Sequence, residues 1–518
     1  MHFYKTLFFP RKIRSKKIEY RVKCTAVFFG TFIMSNQPSH PYYALISMSF
    51  NELLDRFSFY GLQSSLLLIL VSHLGHKQHF GYMIFGAYLA MSFSLPLLGG
   101  YLADKYLKPA EAILYGTVLV GLGNIFIVLT QHHAFLVGLA IITCGTGMMK
   151  ANNSNLLGYA YANRPELKES GFTLFYMAMN IGAILGPVTY GFAMTYFHDL
   201  SYGFAASGIG MFLSLCLLLW HRKKLLLLHP TQLAGKQTRK VLKLTFPVIL
   251  VMGIVLIYII FHSTLAYNTV MLALILAVFL VAITQIMKNP GIVRLNLVTL
   301  LILIIFAVFF FVCQIQISGP LVLLAKNYLH IHIAGISVPP QTMASLEPFF
   351  VIITAPLFAP LWTKLSRKHK TPSINLRIFL GLAFATGSFG VFYLSTVFAV
   401  TNVKMLASFI IIASLLLGAG ELCIGPALTS AVTYLAPKKL QGTFMGIWWL
   451  SIAFSGYIGG WFDSLSNREA HQAHQGKISA FQHTFGNLFI MILVITLLMG
   501  ITWFLLARLK DNTQKVSH

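Results

Sequence analysis

Two acids and a guanidinium stand inside one otherwise apolar stretch, Phe50-Asn51-Glu52-Leu53-Leu54-Asp55-Arg56-Phe57-Ser58-Phe59-Tyr60-Gly61. On a helix Glu52, Asp55 and Arg56 fall three and four residues apart and share a face, while Leu53, Leu54 and Phe57 fill much of the rest. Ionisable side chains at bilayer depth cost about 2.5–3.5 kcal/mol each on insertion scales, so they turn toward a polar cavity or one another and mark an ion or substrate path. A salt-bridged staple inside the fold is the other reading of the same three residues. Of the chain's 13 acids, Glu52, Asp55, Glu347 and Glu421 lie well inside apolar spans, and the deep bases are Arg56 and Lys150. Desolvation favours a neutral carboxyl and a nearby cation favours a charged one. A change of access or partner therefore moves a proton on or off such groups.

The elements that must hold these residues are membrane helices. Of 518 residues, 57% are hydrophobic and 10% charged, against about a quarter charged in soluble proteins. Apolar runs of about 20 residues, the length that crosses a bilayer, recur about fourteen times. Runs such as Leu300 to Phe311 are apolar on every face, which excludes a barrel of short alternating strands. The expected fold is an all-α integral membrane protein.

The spans fall at about 42–72, 80–103, 111–130, 134–158, 172–196 and 201–220 for a first bundle within residues 41–220. A connector, 221–295, carries two extra spans at about 244–262 and 268–287. A second bundle, 296–507, has spans at about 296–325, 341–363, 376–400, 405–434, 440–461 and 484–507, and a tail follows at 508–518. Residues 1–40 form a basic appendage, read as a signal-type core, a basic arm or sequence upstream of a true start at Met34. Pro96-Leu97-Leu98-Gly99-Gly100-Tyr101 and Pro356-Leu357-Phe358-Ala359-Pro360-Leu361 occupy corresponding positions in the two bundles, as an internal repeat would place them.

A net charge of +25 suggests nucleic acid in a soluble protein, but here the basic residues cluster in alternate loops: Lys105 and Lys108, Arg164 and Lys168, Arg222 to Lys243, Lys364 to Arg377, Lys438 and Lys439. By the positive-inside rule those loops and both termini are cytoplasmic, in a multi-pass cell membrane protein with no nucleic-acid partner. The five cysteines are scattered and the loop histidines irregularly spaced, so neither a disulfide framework nor a metal site follows.

Gly145-Thr146-Gly147-Met148-Met149-Lys150 is not a nucleotide loop, because that loop needs G-x-x-x-x-G-K-[ST] between a strand and a helix. The glycines read instead as close-packing positions, leaving Lys150 to hold an anionic substrate group or to compete with Arg56 for the carboxylates. The spans also lack H-E-x-x-H and G-x-S-x-G, which argues against an intramembrane enzyme.

Gly99-Gly100-Tyr101-Leu102-Ala103-Asp104-Lys105 resembles the cytoplasmic latch motif of the major facilitator superfamily. Glu52 to Gly61 resembles E-x-x-E-R-F-x-Y-Y-G, Gly145 to Lys150 resembles G-x-G-x-x-K, and Phe172 to Gly182 resembles F-x-x-F-Y-x-x-x-N-x-G. Gly420-Glu421-Leu422 with Pro426, and Gly446-Ile447-Trp448-Trp449-Leu450, continue the series. Together, over about residues 45–465, these resemble the proton-dependent oligopeptide transporter family of that superfamily.

The resemblance implies a major facilitator fold of two six-helix bundles plus two inserted helices. It implies a monomer that imports di- and tripeptides by alternating access, with a proton as coupling ion and no other cofactor. It implies that Glu52, Asp55, Arg56 and Lys150 serve proton coupling, that Arg56 and Lys150 meet the peptide carboxylate, and that Asn180 and Glu421 meet its amino end. Tyr60, Gln63, Gln316, Glu347 and Trp448 complete the expected binding set. Six positions depart from the family pattern, two of them Asp55 for the second Glu of the first motif and Phe59 for its first Tyr. Gln63 stands for a common Arg and Phe93 for a cavity tyrosine. Ile315, just before Gln316, takes the place of a frequent seventh-helix Glu, and Glu347 the place of a neutral Asn. A facilitator of other peptide-like or small anionic metabolites, and a transporter-like sensor, are the alternative functions.

Overall fold

The computed structural model describes residues 42–105, 107–130, 134–228, 236–333, 335–367, 373–399, 402–472 and 477–516. The appendage expected at 1–40 lies outside them. So do the side chains of Asp104 and Lys105, on which the latch reading depends.

The described residues are almost wholly helical. The first six helices are α1 (Tyr42–Leu68), α2 (Gln78–Lys105), α3 (Pro109–Leu129), α4 (Phe135–Ala160), α5 (Pro165–Tyr196) and α6 (Ser201–Leu227). Next come α7 (Lys236–His262) and α8 (Thr264–Lys288). The last set is α9 (Gly291–Ile315), the short α10 (Pro320–Tyr328), α11 (Leu346–Arg367), α12 (Ile374–Leu394), α13 (Val403–Leu435), α14 (Gln441–Gln472) and α15 (Lys477–Val516). Among the described residues, eleven helices are long and apolar enough to cross a membrane, and the chain is a multi-pass membrane protein. The three charges that reveal α1 also keep it off that tally.

Local chemistry explains the ends. Ser263, Ser373 and Asn402 cap α8, α12 and α13 by accepting from the backbone N–H three residues on, satisfying donors that a helix start leaves open. The spans expected at 296–325 and 341–363 are each interrupted. α9 stops at Ile315, the chain turns through Gly319, and α10 restarts on Pro320. A two-strand hairpin, β1 (His332–Ile333) with β2 (Ile336–Ser337), turns on Gly335 at φ 81°. A 3-10 turn, Pro340–Ser345, then leads into α11.

In lipid the helices gain little from hiding apolar surface from one another, so close approach rests on small residues. Gly145 of α4 meets Gly116 of α3, and Gly147 meets Leu95 of α2, so the glycine reading of that segment describes the packing. α2 also packs along α14, α12 along α13, and α11 along α13. By contrast, 11% of the apolar window of α8 is buried, and its Leu265, Leu272, Leu276 and Leu280 are exposed to the lipid side.

Candidate binding site

The cationic part of the site is built on α1. Arg56 donates from both Nε and Nη2 to Glu52 Oε1, each at 2.9 Å, one helical turn away. The other Glu52 oxygen accepts from Asn153 Nδ2 of α4 at 2.8 Å. Asn153 Oδ1 in turn accepts from Asn51 at 3.1 Å, and Asn51 Oδ1 accepts from Thr117 of α3 at 3.0 Å and Ser214 of α6 at 2.7 Å. This relay pins four helices around a buried ion pair whose lone pairs are taken, the condition under which such a pair holds its geometry.

Lys150, one turn before Asn153's neighbour Ser154 on α4, is placed differently. Its ammonium is buried, makes no hydrogen bond, and lies 3.8 Å from the ring centre of Phe93 and 4.7 Å from that of Phe59. Phe93, a departure from the family pattern, thus supplies a π face to a cation. Asp55 Oδ1 accepts from Thr146 at 3.5 Å, while its Oδ2 has no partner. An unpartnered ammonium and a half-partnered carboxyl in one chamber can receive an anionic ligand group and a proton.

α5 closes this side against α1. A Cβ at Gly182 would collide with the Leu53 carbonyl oxygen, so only glycine lets α5 lie this close. Two residues earlier, Asn180 donates to the Tyr176 carbonyl at 2.9 Å. Tyr60 lies within electrostatic reach of Arg56 and also of Glu421 and Glu347, groups of opposite charge.

The acidic pole comes from three helices. Gln314 Nε2 of α9 donates to Glu347 Oε1 of α11 at 3.0 Å and to Glu421 Oε2 of α13 at 2.8 Å. The approach of α13 to α11 is set at Gly418, where a Cβ would stand 3.2 Å from the Glu347 carbonyl oxygen. Glu421, three residues on, then shares that face. Tyr176 of α5, with Asn180 beside it, lies within reach of the same acids.

Three sequence expectations change. Gln316 does not join Glu347 and Glu421. It sits beside Gly459 of α14, buried, and faces Asp463 of the same helix. Two helical residues are about 200° of rotation, so Gln314 and Gln316 face opposite ways, and Gln314 is the site residue that the sequence reading missed. Ile315 is packed in an apolar cluster. The set of deep acids is larger by Asp463: α14 runs to Gln472, past the expected end at 461, and buries Asp463 beside Gln316. Trp448 packs against Phe311 at 5.6 Å and is buried, and Gln63 is buried with Oε1 unpartnered. Among the described residues, neither side chain hydrogen-bonds to either pole. A separate groove of about 150 Å³ between α8, α9 and α14 is wholly apolar and lies apart from this chemistry.

Residues 110–480 match the POT family. The chain belongs to that family. A dipeptide and tripeptide permease B of Photorhabdus luminescens is 26% identical to this POT-family chain over 487 residues, covering 89% of it and 96% of the relative. A crystal structure of a peptide transporter POT in complex with sulfate is similar at a TM-score of 0.77 and 27% identity, covering 90% of this chain and 95% of that one. Another, of a POT family transporter in complex with 5-aminolevulinic acid, is similar at 0.76 and 25%, covering 88% and 95%. The POT-family chain therefore has the expected all-α major facilitator fold. Its relatives are transporters by name, not enzymes.

Proposed function

We propose that this protein is a proton-coupled symporter that imports di- and tripeptides by alternating access. The carrying observation is the two-pole site: Arg56 and Lys150 form one pole, Glu347 and Glu421 the other, with Tyr60 within electrostatic reach of Arg56 and of both acids. A short peptide is a zwitterion, and its carboxylate suits the cations while its ammonium suits Glu421 and Asn180. The relatives' names support the same reading. Glu52, Asp55, Arg56 and Lys150 take the proton-coupling role, with no cofactor besides the proton. The two six-helix sets within 41–220 and 296–507 are the moving bundles and 221–295 the insert, in a monomer of the cell membrane with both termini cytoplasmic.

Side-chain contacts between the sets support one closed end. Tyr196 donates to the Ser337 carbonyl at 3.0 Å, Ser345 to that of Ile184 at 2.8 Å, and Lys326 to Ser72 at 2.7 Å. By the loop-charge assignment this is the outer end, so the cavity is one that faces inward.

The test is uptake of a labelled dipeptide into proteoliposomes, with and without an inward proton gradient. Accumulation above equilibrium that collapses with a protonophore is expected. No uptake or exchange of any di- or tripeptide ends this reading. A second reading, transport of other short zwitterions, is favoured by the closeness of the poles to a single tyrosine, and predicts that 5-aminolevulinic acid competes for the site.

A further inference from the structure

The acidic pole carries more charge than one ammonium group requires. A single amide nitrogen, Gln314 Nε2, feeds both Glu347 Oε1 and Glu421 Oε2 at 3.0 and 2.8 Å. An amide NH2 has two hydrogens, so both are spent, and each carboxyl puts one oxygen within hydrogen-bond distance of the same nitrogen. Glu347 and Glu421 are each half-buried.

The groups that face the pair do not balance it. α1 presents Tyr60, α5 presents Tyr176 and Asn180, and α9 presents Gln314. Arg377 of α12 lies within electrostatic reach of Cys423, two residues and about 200° around α13 from Glu421. Arg56 is chelated by Glu52 and Lys150 lies over Phe59 and Phe93. Two carboxylates this close in a low-dielectric site do not both stay charged without a cation, and retain a proton between them.

We propose that Glu347 and Glu421 form a two-carboxyl receptor whose second negative charge is cancelled by one shared proton when the peptide is neutral, and by the side-chain cation when the first residue is lysine or arginine. This rests on the peptide reading above. The charge count closes in both cases. A neutral peptide brings one ammonium to a pair holding one proton. A peptide with a basic first residue brings two cations, and the shared proton leaves to the cavity water. The first residue is specified because both acids share one donor atom, so both cations must lie close together on the ligand.

The test has two readouts. In the detergent-solubilised protein without ligand at neutral pH, infrared difference spectra of wild type against Glu347→Gln should show loss of a protonated-carboxyl band. Glu421→Gln must give the same loss, since either change leaves the remaining acid with nothing to share. In calorimetry run in two buffers of different ionisation enthalpy, lysyl-alanine should release about one proton more than alanyl-alanine on binding wild type. In Glu347→Gln that difference should vanish, and preference for lysyl-alanine should fall about tenfold. An unchanged carboxyl band in both variants, or equal proton release for both peptides in wild type, overturns the proposal. If neither peptide binds while the band is still lost in both variants, the peptide reading fails and the shared proton stands.

Discussion

Lys150 and Arg56 carry the same charge, lie near the same carboxylates, and differ in what they bond. Arg56 is held by two hydrogen bonds to Glu52, and Glu52 by Asn153. Removing one member of a buried pair leaves the other uncompensated and costs about 3–5 kcal/mol. Arg56→Ala is therefore expected to abolish gradient-driven uptake and also to lower the melting temperature of the purified protein. Lys150 has no hydrogen-bond partner to strand. Lys150→Met should suppress uptake at least tenfold while the melting temperature stays within a few degrees of wild type, and a large fall would mean that Lys150 is a structural staple. At the acidic pole, Glu421→Gln should weaken binding of free dipeptides about tenfold, about 1.4 kcal/mol, and leave amino-acetylated analogues almost unchanged. Equal losses for both ligands count against an ammonium contact.

At the scale of elements, the site depends on how closely helices approach and where they end. Gly182→Ala places a methyl group against the Leu53 carbonyl oxygen, and overpacking of this kind costs about 1–3 kcal/mol. The expected result is a lower melting temperature with a loss of uptake larger than the stability change accounts for, because Asn180 moves with α5. Asp463 gives the opposite sign. Its buried carboxyl faces the neutral Gln316 amide, and a buried charge that meets no counter-ion is destabilising. Asp463→Asn, which keeps shape and removes the charge, should leave the melting temperature unchanged or raise it by a few degrees. A marked fall would show that the Asp463 charge is compensated in the folded protein.

For the whole molecule, alternating access requires the contacts at the closed end to separate in each cycle. Ser72 follows α1 and Lys326 belongs to α10, and their side chains meet at 2.7 Å. Cysteines at these two positions, in a background without the native cysteines and joined by a short dithiol-reactive linker, should stop uptake. Reductive cleavage of the linker should restore it. Full uptake in the cross-linked state would rule out separation at this end. Proton coupling sets the sign of the pH response: more acid outside should raise uptake by wild type, and Asp55→Asn should flatten that dependence.

The membrane class, the succession of spans and the deep positions of Glu52, Asp55, Arg56, Lys150, Glu347 and Glu421 were determined by the sequence alone. Their physical basis is local: the length of apolar runs, the cost of charge within them, and the residues that cap or break a helix. Partners were decided only by the tertiary structure. Nothing near Gln314 in the chain signals that it would bridge acids on α11 and α13. The stop of α9 at Ile315 decides that it does, while Gln316 turns toward α14. Likewise no local signal distinguishes Arg56, which is paired, from Lys150, which rests on two rings. A hydrogen bond between helices depends on rotation and separation across many intervening residues, and those are set by packing at positions such as Gly182 and Gly418.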